Sequence, residues 1–67
     1  MPLATLKSHL EAAKTAIGEA LANVATAEVN AEPLQRRFLV QALREVLEAQ
    51  RELTPANKVL IPYAKKP

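Results

Sequence analysis

The side chains with chemical reach in this chain are one histidine, His9, seven acidic residues, all glutamates, and nine lysines and arginines. A metal site or an acid/base pair needs ligands at a recognisable spacing, such as histidine and carboxylate one helical turn apart. His9 has Ala13 at that position, so it reads as a helix-edge side chain. The glutamates lie where helical faces meet solvent or near a loop, which does not raise the pKa of one of a pair for general acid work. A single glycine cannot build a phosphate-cradling loop, and no Ser/His/Asp arrangement is present. The chain therefore reads as non-enzymatic, with no metal or cofactor implied.

Basic residues offer a second chemistry. Arg36, Arg37 and Arg44 are candidate phosphate contacts on one helix, doubled if the helix dimerises. The same helix carries Glu45, Glu48 and Glu52, and one phenylalanine and one tyrosine do not make a base-stacking platform. A nucleic-acid-binding hairpin dimer is thus the alternative reading rather than the first.

The elements that must position these groups follow from composition and periodicity. Thirteen alanines, ten leucines, one glycine and no cysteine in 67 residues predict an all-α chain with no disulfide or thiolate metal site. Net charge is +2, and the basic excess gathers in the last fourteen residues, which hold three lysines and no acid. No apolar run reaches membrane-span length, and helix 1 lacks the lysine-rich polar face and large aromatics of an interfacial helix. The expectation is a soluble, cytoplasmic protein without a membrane partner.

Leu3, Leu6, Leu10, Ala13, Ile17, Ala20 or Leu21, Val24 and Ala27 recur three and four residues apart, which predicts a first helix over about 4–29 with one apolar stripe. Pro2 or Thr5 would start it, and Asn30 would end it in the left-handed conformation that asparagine tolerates. Gly18 falls on the solvated face, where it is tolerated at a cost of about 0.5–1 kcal/mol. Pro33 then opens a second helix over about 33–53. So short a link joins antiparallel neighbours. A turn near residue 31 pairs Val24 with Phe38, Leu21 with Leu39 or Ala42, Ile17 with Leu43 or Val46, and Leu10 with Leu53.

Helix 2 is apolar over an arc of roughly 200°, more than one partner helix can cover. Phe38, Ala42 and Val46 have mates in helix 1. Leu39, Val40, Leu43 and Leu47 have none and form the expected interaction surface, with Gln50 at its edge; Arg37, Arg44, Glu45, Glu48, Arg51 and Glu52 are expected on the opposite, solvated face. Before Thr54-Pro55 the helix should stop, because proline disfavours helical geometry in the residue preceding it. An extended tail over 54–67 follows, with Val59, Leu60, Ile61 and Tyr63 as its docking residues. Two domains result, a hairpin over 1–53 and the tail.

A chain this small buries only about 60% of its unfolded surface, so a partner is the expected source of further stability. The favoured reading is a self-associating protein-protein interaction or structural module, most simply a homodimer forming a four-helix bundle through helix 2. An adaptor, a small chaperone and a phage-type accessory protein are indistinguishable at this level, and a second protein could occupy the same surface.

Overall fold

A computed structural model of the chain describes residues 1–65. Two helices account for nearly all of them: α1, Leu3–Glu28, and α2, Leu34–Ala64, packed as an antiparallel hairpin without strands among the described residues. The expected hairpin is therefore present, and its second helix is longer than expected. Pro2 precedes α1 in extended conformation, and its carbonyl accepts from the Leu6 amide at 3.1 Å. A proline suits this position because its missing N–H would have had no partner in the first turn.

The connection is made without a left-handed residue. Among the described residues no non-glycine position has positive φ, so the expected αL ending at Asn30 does not occur. Asn30 instead donates from its side-chain Nδ2 to the Thr26 carbonyl at 2.8 Å, and Gln35 donates from Nε2 to the Ala27 carbonyl at 3.1 Å. These side chains add to the Val29 and Asn30 amides, which donate to the Thr26 and Ala27 carbonyls at 3.3 Å, in capping the end of α1, whose last carbonyls lack helical partners. Gln35 thereby ties the start of α2 to the end of α1.

The expected helix stop at Thr54 is the main correction. α2 runs through Pro55 and Pro62 to Ala64, so residues 54–64 are helical rather than an extended tail; Lys66 and Pro67 of that segment lie outside the described residues. Proline in a helix interior costs about 3 kcal/mol through a lost hydrogen bond and a clash with the preceding turn. What offsets it is packing: beyond Pro55, Ala56 is 1% exposed and Val59 is half-buried. The Thr54 hydroxyl meanwhile donates to the Gln50 carbonyl at 2.9 Å.

The contact between the helices is a seam of small side chains. The row of covered positions along the contact runs in α1 through Leu6, His9, Ala13, Ala16, Ala20, Asn23 and Ala27 and in α2 through Gln35, Phe38, Ala42, Glu45, Ala49, Glu52, Ala56 and Val59, with Thr26, Leu53 and Pro55 partly buried beside it. Both series alternate steps of three and four, the heptad pattern that keeps a seam between two supercoiled helices. Ala13, Ala16 and Ala49 form the centre, with Leu53 against them. Ala13 facing Ala49 and Ala27 facing Gln35 are symmetric about residue 31, so the expected register is found. The expected faces are not: each helix is rotated so that alanines meet, and Leu10, Ile17, Leu21, Val24, Leu39, Leu43 and Val46 stay at least 39% exposed. Of the anticipated pairs, Phe38 and Leu53 are partly buried and Ala42 is buried, while the other members are exposed.

Candidate interaction face

The two edges of the alanine seam differ in chemistry. One is polar. Asn23 donates from Nδ2 to Glu45 Oε1 at 2.7 Å, and Glu45, expected on a solvated face, is 6% exposed. Glu19 lies against Glu45 and Glu48: hydrogen bonding to the Glu45 side chain raises the Glu19 carboxyl above its ordinary value of 4.5, and desolvation and the charges of Glu45 and Glu48 act in the same direction. Toward the open end of the hairpin, His9 Nδ1 and Glu52 Oε2 are 2.5 Å apart. His9 thus does have a carboxylate partner, 43 residues away in sequence. Helical spacing within α1 could not reveal it. Among the described residues no group of three metal-type ligands is assembled and no pocket is enclosed, while every buried side-chain polar atom has a hydrogen-bond partner.

Since Glu19 and Glu48 flank the seam on the same edge, the residues that flank it on the other edge also come together. In α1 these are Leu3, Leu10, Ile17 and Val24, seven residues apart; in α2 they are Leu39, Val46, Leu53 and Leu60, again seven apart. All eight are large aliphatics. Leu53 is held against the alanine core, and the other seven are 39–77% exposed. They form two parallel rows on one broad face of a molecule measuring 51 × 22 × 14 Å.

The residues expected to form the interaction surface extend this face around α2. Leu39 belongs to its α2 row. Leu43 and Gln50 lie in the next row outward, and Val40 and Leu47 in the row after that; all five are exposed. The α1 row was missing from that expectation, although Leu3, Leu10, Ile17 and Val24 share a heptad spacing visible in the sequence. In the sequence these four residues also belong to the longer three-and-four stripe that predicts the hairpin core. Of the expected tail-docking residues, Val59 enters the seam, Leu60 joins the apolar face, Ile61 falls in the row of Val40 and Leu47, and Tyr63 continues the seam row one turn beyond Val59; the last two are 52% and 65% exposed. Arg36 forms an ion pair with Glu32 at 3.7 Å and lies about 100° around the helix from Arg37. Arg37 and Arg44 share a row, so the three arginines do not form one site.

The surface is large for so small a chain. A compact 7.3 kDa protein exposes about 4,200 Å² by size scaling, and this one exposes 5250 Å². The radius of gyration, 15.4 Å, compares with about 11 Å for a compact chain of this length. No large side chain among the described residues is fully buried.

Fold and face together define a class, the two-helix hairpin with a small-residue seam and one unpartnered apolar face. No protein-family model, curated protein or solved structure matches the chain.

Proposed function

We propose that this protein is a non-enzymatic interaction module that self-associates face to face through the two aliphatic rows, most simply as a two-fold dimer in a four-helix bundle. The observation that carries the reading is the placement of Leu3, Leu10, Ile17 and Val24 beside Leu39, Val46, Leu53 and Leu60 on one face. A second copy fits it for three reasons. The rows contain no charge, so a two-fold contact of the face with itself brings no like charges together. The surface in excess of a compact chain, about 1,000 Å², is of the order one partner contributes to a stable interface, about 800 Å². And a bundle gives each helix two neighbours: a small-residue neighbour across the seam and a large-residue neighbour across the face, which accounts for the width of the apolar arc on α2.

The interface in this reading draws on both helices rather than on α2 alone. Sedimentation equilibrium at micromolar concentration should give twice 7.3 kDa. Ile17→Glu combined with Val46→Glu should yield monomer or unfolded chain, because each places a charge in the apolar contact. A wild-type chain that sediments as a stably folded monomer overturns the proposal.

A further inference from the structure

The outer side of α2 carries a row that the apolar face does not use. Arg37, Arg44, Arg51, Lys58 and Lys65 recur every seven residues and are all exposed. Seven residues of helix advance about 10.5 Å, so the row extends over about 42 Å. Because the seam of α2 has the same seven-residue repeat, the cations keep one bearing relative to it along the hairpin. Arg44 donates to Gln41 Oε1 at 3.4 Å. None of the five forms an ion pair among the described residues, although Glu48 is four residues from Arg44 and three from Arg51. The glutamates of α2 instead turn to the seam and its polar edge.

We infer that this row is a docking ridge for the phosphate backbone of a nucleic-acid duplex, read without regard to sequence. Single-file, evenly repeated cations suit a partner whose negative charge repeats along a line, and a duplex presents one phosphate per about 1.7 Å of axis. A bilayer surface would call for cations spread over a plane with large aromatic anchors; Phe38 is half-buried in the seam. Single strands would call for aromatic stacking platforms, which the row lacks. Arg36, paired with Glu32, lies off the ridge. The inference does not rest on self-association, since one hairpin carries the whole row.

The test is fluorescence anisotropy with the full chain and labelled 20-base-pair DNA and RNA duplexes of mixed sequence, run from 50 to 200 mM salt. Four phosphate contacts give a slope of log K against log salt near −3.6, or about a 150-fold loss of affinity across that range. Replacing Arg37, Arg44, Arg51 and Lys58 together by glutamine should abolish binding with helicity unchanged by circular dichroism. Removing Arg36, Lys7 and Lys14 should reduce affinity less than tenfold. Preference between the DNA and RNA arms identifies which duplex the ridge serves. The inference is overturned if wild type binds neither duplex at 50 mM salt, if the two variants lose affinity equally, or if poly-glutamate or phosphatidylserine vesicles compete as well as duplex at equal charge.

Discussion

Asn23 and Glu45 meet across the seam at 2.7 Å, which places a carboxylate between Ala42 and Ala49 in the buried row of α2. Glu45 can remain there because Asn23 supplies a donor and Glu19 shares a hydrogen bond with it. An unpaired carboxylate in such a place would shift its protonation or disrupt the contact. Polar groups within an otherwise apolar seam cost stability while disfavouring slipped registers, in which they would lose their partners.

The Glu19–Glu45 contact carries a pH dependence whose sign is fixed. The folded carboxyl of Glu19 lies above its ordinary value of 4.5, so in the window above 4.5 the native state holds more proton than the unfolded chain. Stability must therefore fall as pH rises through that window and level off above the raised folded value. Glu19→Gln keeps a side chain able to donate to Glu45 and removes the charge. It should raise the melting temperature at pH 7 and flatten this part of the pH profile, as thermal melts between pH 4 and 8 would show. An unchanged profile would mean that Glu19 and Glu45 do not share the contact in solution.

Close approach of the helices at Ala13, Ala16 and Ala49 predicts a penalty for adding volume there. Ala49→Leu should lower the unfolding free energy by about 1–3 kcal/mol, since an isobutyl group cannot enter a packed seam without displacing its neighbours. Urea denaturation measures this directly. Equal or greater stability would show that the helices stand farther apart than described.

Gly18 marks the opposite case. A methyl group added there meets nothing within 4 Å, and its φ is ordinary for a helix. Gly18→Ala should stabilise by about 0.5–1 kcal/mol by reducing the freedom of the unfolded chain, which corresponds to about 2–8 °C in a domain of this size. No change in melting temperature would indicate a contact at this position made by another molecule.

How far sequence alone reaches differs from element to element. Alanine and leucine content, the three-and-four spacing of apolar residues and the short segment around Asn30 and Pro33 determined two antiparallel helices and a register centred on residue 31, because these depend on local geometry and chain reach. The surplus of apolar surface on α2 was equally legible, as was the tolerance of Gly18. Three matters were decided only by tertiary packing. Which row faces the partner was one: Leu10 and Ile17 outweigh Ala13 and Ala16 in hydrophobicity, yet alanines let the backbones approach while the larger rows stay at the flank. The fate of Pro55 was another, since burial of Ala56 and Val59 against α1 overrides a local helix-breaking preference that a sequence window treats as final. The last was the company kept by His9, Glu45 and Glu52, whose partners stand 22 to 43 residues away; pairing at that range is a property of the fold, and periodicity along one helix carries no record of it.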